Sequence, residues 1–141
     1  MRVLAAAPED FGWLVERTSA ALTDHATGIK AVDESGRIRG MVVYDYWTPN
    51  ACQAHMAVDA PIIWRSLLRP AFSYPFEELG RSLILGIIAA DNPRSLAMAK
   101  RLGFRDVHRV DDGWAPGVPL IVHEMRRAEC RWLSEPLRRA A

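Results

Sequence analysis

The stretch ADNPRSLAMAKRLGF, residues 90–104, follows the apolar run SLILGIIA of residues 82–89. An almost continuous apolar run predicts an interior strand that is buried on both faces. After it, Asn92 is a good N-cap candidate, Pro93 suits the first helical position, and Gly103 suits the residue just past a helix. The stretch therefore predicts a buried strand, a tight exit, and a short helix that begins at Pro93 and ends before Gly103.

The elements on either side of this unit are predicted from periodicity and turn residues. They are a helix in residues 8–24, a β-hairpin in 28–47 that turns at Gly36, a strand in 52–58, an apolar helical segment in 62–79, and two final strands in 104–114 and 118–127. Pro70 and Pro75 predict a kink or a break in the second helical segment. Because a helix joins two successive strands, we expect a parallel pair inside a sheet that also contains antiparallel hairpins. The predicted fold class is α/β, with a central mixed sheet flanked by helices in one domain over residues 1–141.

The composition is that of a soluble globular protein, with 141 residues of which half are hydrophobic and a quarter are charged. A formal net charge of +1 provides no general basic field, which argues against nucleic-acid binding. Two cysteines, Cys52 and Cys130, are too few for a disulfide framework or a metal cluster, so we expect reduced thiols and no metal. The longest apolar run, residues 83–90, is far shorter than the roughly 20 residues that span a membrane. We therefore expect a cytoplasmic protein without a membrane partner.

The spacing of Asn92, Ser95 and the Leu-Gly-Phe ending at 102–104, placed after a buried strand, resembles the GCN5-related N-acetyltransferases. The order of elements over roughly residues 28–131 is also similar to that family. Members of the family transfer an acyl group from acyl-coenzyme A to an amine. The resemblance therefore implies acetyl-CoA as co-substrate and a small-molecule or protein amine as acceptor.

The resemblance also implies where the coenzyme lies. In the family, two neighbouring parallel strands separate, and the pantetheine arm of the coenzyme occupies the gap as an added strand would. Here residues 55–58 would face residues 89–92 across that gap. The implied coenzyme-binding residues are Met56, Ala57, Val58, Asn92, Ser95 and Met98, with Arg65 and Ser66 as candidates for an anion site.

Two features depart from the family pattern. The family's pyrophosphate loop carries glycines just before a long helix, whereas residues 59–68 contain none. Many members also place a tyrosine four residues before the glycine of Leu-Gly-Phe, as the acid that protonates the departing thiolate. This chain has Ala99 at that position. An enzyme built on this plan would therefore use another group or water as the acid.

Transfer to an amine requires removal of a proton from the ammonium form of the acceptor. The candidate catalytic residues are His55, Asp59 and Tyr44, with Asp45, Tyr46 and His123 as further candidates. His55 is favoured because the ordinary pKa of histidine lies close to working pH. Each also has a purely structural interpretation: His55 as a packed or surface residue, Asp59 as a cap for the helix after Pro61, and Tyr44 as a packed strand residue.

Two function classes follow from these observations. The first is an acyl-CoA-dependent N-acyltransferase in which the amine attacks directly in a ternary complex. The alternative is a member of the same fold that has weak or lost coenzyme binding and serves as a binding or assembly module. The aromatic residues of 64–76 are interpreted as core or as the surface of a homodimer.

Overall fold

A computed structural model describes residues 1–133 of the chain. Within that range the chain forms seven strands and three α-helices. In chain order these are β1 (Arg2–Ala6), α1 (Phe11–Thr18), β2 (Thr27–Val32), β3 (Ile38–Asp45), β4 (Ala51–Val58), α2 (Trp64–Ser73), β5 (Leu83–Ala89), α3 (Pro93–Leu102), β6 (Arg105–Ala115) and β7 (Val118–Arg126). Short 3-10 turns lie at Pro8–Asp10, Pro61–Ile63 and Arg127–Glu129, and a π-helical turn lies at Tyr74–Glu78.

All seven strands belong to one sheet, in the order β1-β2-β3-β4-β5-β7-β6. β4 and β5 are parallel, and each of the other neighbouring pairs is antiparallel. The α/β class and the mixed sheet are therefore confirmed, and α2 is the connection between the parallel strands. β1 was not anticipated from the sequence pattern; it extends the sheet by pairing with β2 from Arg2↔Val32 to Ala6↔Gly28.

Helices cover both faces of the sheet. α1 covers one face, where Leu14 packs with Met41 and Val43 of β3. α2 and α3 cover the other face and enclose the larger core, whose most deeply buried members include Tyr44, Cys52, Leu67, Phe72, Phe76 and Ile84. Because the side chains of β3 alternate between these faces, Val43 and Tyr44 belong to different cores.

The predicted kink or break of the second helical segment falls at Pro75 and not at Pro70. The helix continues through Pro70 to Ser73, and the chain then widens into the π-helical turn that contains Pro75. Since Pro75 has no N–H, the carbonyl of Ala71 lacks its α-helical donor. The hydroxyl of Tyr44 donates to that carbonyl at 2.5 Å. A side chain of β3 thus donates a hydrogen bond to α2 at the carbonyl whose α-helical donor Pro75 removes.

α3 has the ends that the sequence predicts. The side-chain oxygen of Asn92 accepts from the backbone N–H of Ser95 at 3.2 Å, and Pro93 occupies the first turn. At the other end, Gly103 has a φ of 103°, in the left-handed region, and its N–H donates to the last turn of the helix. The Asn cap and the glycine stop are both confirmed.

The final hairpin is longer than its turn-rich sequence suggested. β6 runs to Ala115, and the register between β6 and β7 shifts between Val110↔Leu120 and Ala115↔Val118. This bulge holds Asp112 at a φ of 57°, and its carboxylate accepts from the N–H of Gly117 at 2.7 Å. The turn itself is therefore confined to Pro116 and Gly117.

The aromatic residues of α2 and the following turn belong to the core. Phe72 and Phe76 are fully buried, and Trp64 and Tyr74 pack against the same cluster. Of the two interpretations of these residues, core or dimer surface, the structure therefore supports the core. The homodimer stays a prediction that these core residues do not test.

Both cysteines are free and buried. Burial raises the pKa of Cys52 to about 12, and it also raises the pKa of Cys130. Each therefore carries a protonated thiol at neutral pH, which agrees with the expected reduced thiols. Among the described residues, no helix combines the length and the apolar character that crossing a membrane would require.

Candidate functional site

The parallel strands β4 and β5 separate soon after they begin. Their pairs are Ala51↔Leu83, Cys52↔Ile84 and Gln53↔Leu85, although β4 continues to Val58 and β5 to Ala89. Both strands stay attached on their outer sides, because β4 pairs with β3 up to Gly40↔Val58 and β5 pairs with β7 up to Ala89↔Leu120. A gap bordered by two strand edges therefore opens inside a sheet that is continuous on either side of it.

Two adjoining hollows fill this gap. The first has a volume of about 300 Å³ and lies between β4, β5 and α3, with the end of α1 on its other side. The second, of about 340 Å³, lies toward the end of β4 and the start of α3. We call the two together the cleft. Its polar lining residues include Arg17, Thr18, Ser19, His55, Asp59, Asp91, Asn92, Arg94, Ser95 and His123.

The separation of the strands changes the burial expected for β5. The apolar run predicted a strand buried on both faces, but only Ile84 is fully buried, and Ile87 is 41% exposed and lines the cleft. The strand is interior in the order of the sheet, as predicted. Its second half is open because β4 has already moved away from it.

His55 brings an unpaired polar atom into the cleft. Its Nε2 is buried and has no hydrogen-bond partner anywhere in residues 1–133. Burial lowers the pKa of His55 below its ordinary value, and the negative charge of Asp45 opposes part of that shift. The imidazole is therefore neutral at neutral pH, and no described residue pairs with its buried Nε2.

Asp45, at the end of β3, is the charged group that acts on His55. It is completely buried, and burial alone would raise its pKa. Hydrogen bonds from the backbone N–H and the hydroxyl of Thr23, at 2.5 and 2.6 Å, and from the N–H of Tyr46 outweigh that effect and lower the pKa. A fixed carboxylate therefore lies behind the histidine, where it favours uptake of a proton.

Asp59 lines the cleft, but both of its carboxylate oxygens face arginines. Oδ1 lies 3.4 Å from Nε of Arg17, and Oδ2 lies 3.1 Å from Nε of Arg39. Arg17 in turn stacks on the ring of Trp13, with its guanidinium carbon 3.7 Å from the ring centroid. Asp59 thus ties α1 to the sheet. It does not cap the turn after Ala60, which has no side-chain cap.

Tyr44 does not reach the cleft. Its ring is completely buried among the side chains under α2, and its hydroxyl is bonded to the carbonyl of Ala71. Burial raises the pKa of Tyr44 well above its ordinary value, so the phenol stays protonated. The catalytic role expected for Tyr44 is therefore corrected to a structural one, because strand alternation points its side chain into the core.

We compared the sequence and the structure of this chain with those of known proteins. By sequence, the chain matches no family model and no curated protein. By structure, it is similar to a chimera of spermidine N-acetyltransferase SpeG from Vibrio cholerae and hSSAT, with a TM-score of 0.74 and 12% identity over 95% of this chain and 100% of that one. The fold is that of the GCN5-related N-acetyltransferases.

Two further solved structures have the same fold. One is SpeG from Vibrio cholerae in complex with manganese ions, with a TM-score of 0.71 and 12% identity over 90% of this chain and 92% of that one. The other is a probable acetyltransferase, with a TM-score of 0.62 and 19% identity over 74% of this chain and 62% of that one. Within residues 1–133 of the present chain, no group of three or more His, Cys, Asp or Glu side chains is arranged to hold a metal ion.

Most of the residues that the acetyltransferase resemblance assigned to the coenzyme meet in the cleft. Those that line it are Met56, Ala57, Val58, Asn92, Ser95 and Met98. Arg65 and Ser66 lie on the first turn of α2, outside the lining of the cleft. Two cations that sequence reasoning missed, Arg17 and Arg94, lie there instead. Arg94 follows Pro93 in the first turn of α3, so its position next to the predicted cap could have indicated it.

His123 completes the wall opposite His55. It is only 2% exposed, with Nε2 3.0 Å from a carboxylate oxygen of Asp106 and Nδ1 3.1 Å from the carbonyl of Ile121. Ala99, where many acetyltransferases carry a tyrosine, lines the same hollow. Two histidines from different strands, His55 of β4 and His123 of β7, thus line the same cleft. The sequence alone did not predict that they lie close together.

Proposed function

We propose that this protein is an acyl-CoA-dependent N-acyltransferase that acts on an amine. The observation that carries the proposal is the separation of β4 and β5, which opens a cleft next to the unpaired Nε2 of His55. The fold shared with known N-acetyltransferases supports the same reaction class. Acetyl-CoA would supply the acetyl group as a thioester. The C–N bond to the acceptor forms, the C–S bond breaks, and the coenzyme A thiolate leaves and takes up, through water, the second proton that the amine nitrogen loses.

The cleft fits an extended coenzyme arm. The facing edges of β4 and β5 carry backbone donors and acceptors beyond Gln53 and Leu85, as a sheet edge does for an added strand. At the outer end, Arg94 and the start of α3 place positive charge where phosphates would lie. Asn92 keeps that helix start in position through its cap. These residues take the place of the absent glycine-rich loop.

We assign His55 as the base. Its neutral Nε2 accepts a proton from the acceptor ammonium, which exposes the lone pair of the amine nitrogen. The charge that the imidazole gains is stabilised by the Asp45 carboxylate. The proton then leaves Nε2 along the cleft toward solvent, and the histidine returns to its neutral form. Asp59 is left out of this assignment because arginines occupy both of its oxygens.

The alternative, a binding module without catalysis, is favoured by one observation. Ala99 contributes only a methyl group where many family members have a phenol, so that helix offers no side-chain acid for the thiolate. Such a module could still bind the coenzyme. The N-acyltransferase and the binding module therefore differ in turnover rather than in coenzyme binding.

Calorimetric titration with acetyl-CoA and a coupled assay of thiol release over a panel of amines test the proposal. We expect saturable binding to wild type and to His55→Gln, and turnover about 10²- to 10⁴-fold lower in His55→Gln. His108→Gln, an exposed histidine on β6, is the matched control and keeps wild-type turnover. Absence of binding at millimolar acetyl-CoA would reject the whole proposal. Binding without turnover on any amine would favour the module, and unchanged turnover in His55→Gln would remove that residue from the mechanism.

A further inference from the structure

The cleft has a closed end and an open end. It closes where Gln53 pairs with Leu85, and it opens toward Val58 and Asn92, where the second hollow lies. A linear arm that enters from the open end places its reacting end next to the closed end. His55 is two residues beyond the last pair, so its unpaired Nε2 lies at that same end. The group carried by the arm must therefore occupy the space that the closed end provides.

That space is enlarged by residues with little or no side chain. The closed end is lined by Ala54, Gly86, Ala99, Leu102, Phe104 and His123, which we call the inner pocket. Ala54, Gly86 and Ala99 come from three different elements, β4, β5 and α3, and together they contribute only two methyl groups. A Cβ built on Gly86 would lie 3.9 Å from Cβ of His123 and 4.0 Å from Cε1 of Phe104, which is ordinary contact. The space in front of Gly86 can therefore hold a methyl or methylene group in ordinary contact with its walls.

The walls of the inner pocket are suited to an uncharged chain. Leu102 and Phe104 are apolar, and both are almost completely buried. Both ring nitrogens of His123 already face oxygen acceptors, the carbonyl of Ile121 and the carboxylate of Asp106. Neither ring nitrogen of the histidine is therefore free for a group in the inner pocket, and an acidic group would lose its hydration against Leu102 and Phe104.

We propose that the inner pocket makes this chain selective for unbranched, uncharged acyl groups longer than acetyl, such as propionyl or butyryl. This inference rests on the proposed function, because it assumes that an acyl-CoA enters the cleft. Each further methylene that is buried strengthens binding by about fourfold, so butyryl-CoA binds about fifteenfold more tightly than acetyl-CoA.

The test is a calorimetric titration of the full chain with coenzyme A, acetyl-CoA, propionyl-CoA, butyryl-CoA and succinyl-CoA. We expect affinity to rise from acetyl to butyryl and to fall for succinyl. Gly86→Ala adds one methyl group inside the inner pocket and lowers the ratio of butyryl to acetyl affinity by about fourfold. Gly12→Ala is the matched control, because nothing lies within 4 Å of a Cβ at that exposed position of α1. It leaves the ratio unchanged.

The outcomes separate this inference from the function on which it rests. Coenzyme A binding with equal affinities for all acyl chains, or with the highest affinity for acetyl-CoA or succinyl-CoA, overturns the inference and leaves the proposed function in place. Absence of binding to coenzyme A and all four thioesters overturns both. If Gly86→Ala fails to fold, Ala99→Val narrows the same pocket from α3, and an undiminished preference for butyryl in that variant contradicts the assignment of the pocket.

Discussion

Replacement of Tyr44 by phenylalanine tests whether its hydroxyl stabilises the fold or takes part in catalysis. The change removes a hydroxyl that donates to the carbonyl of Ala71, at 2.5 Å, in the fully buried core. Pro75 cannot supply the α-helical N–H for that carbonyl, so the variant removes a buried hydrogen bond between β3 and α2. The cost is about 1–3 kcal/mol in the free energy of unfolding. For 141 residues this corresponds to a fall in Tm of about 3–10 °C.

Urea unfolding followed by circular dichroism measures this cost, with Tyr46→Phe as the matched control. The hydroxyl of Tyr46 donates to the carbonyl of Ala21 at 2.7 Å but is exposed, so its loss costs less than about 0.5 kcal/mol. Acetyl-CoA affinity stays within about twofold in both variants at temperatures well below unfolding. If Tyr44→Phe is as stable as Tyr46→Phe, the hydrogen bond to Ala71 does not have the role assigned to it. If Tyr44→Phe folds normally but loses turnover, the phenol is catalytic after all.

Three further outcomes are expected. Asn92→Ala lowers the free energy of unfolding by about 1 kcal/mol, measured in urea, because the N–H of the first turn loses its acceptor, whereas Asn92→Asp retains most of it. Neither Cys52 nor Cys130 reacts with a thiol reagent in the native state, and both react in urea with the unfolding transition, since burial keeps the thiols protonated. The lowered pKa of His55 means that the unfolded chain binds its proton more readily. The free energy of unfolding of the wild type therefore falls as the pH drops below the ordinary histidine pKa of about 6.5, by less than about 1.4 kcal/mol per pH unit. In His55→Gln, the free energy of unfolding, measured in urea, falls less between pH 7 and pH 5.

The parts of the fold that follow from neighbouring residues were predictable. Asn92 and Ser95 are three positions apart, and Gly103 needs a left-handed φ at the end of its own helix, so the interactions that form α3 are all local. The hairpin of β2 and β3 turns at Gly36 for the same kind of reason, with a φ of 84°. The family pattern consists of these same local features, so the fold could be predicted from them.

Contacts between distant parts of the chain were not predictable. Nothing in the sequence around Asp59 indicates that Arg17 and Arg39, from two other elements, would occupy its carboxylate. The destination of Tyr44 depends on a carbonyl freed by Pro75, 31 positions later. β1 has only five residues, two of them alanine, and is stabilised by its pairing with β2 rather than by its own pattern.

The cleft combines a property of the fold with properties of individual side chains. β4 and β5 are paired on their outer sides, to β3 and β7, so the gap between them is part of the sheet itself. Binding an extended arm then exchanges water for strand-like hydrogen bonds without rearranging the sheet. In the proposed reaction, the chemistry would depend instead on the side chains at positions 55, 86 and 99, which the strand pairing does not require. A variant at any of these three positions can therefore change turnover or acyl preference while leaving coenzyme binding and the fold in place, whereas a change that closed the gap between β4 and β5 would remove all activities together.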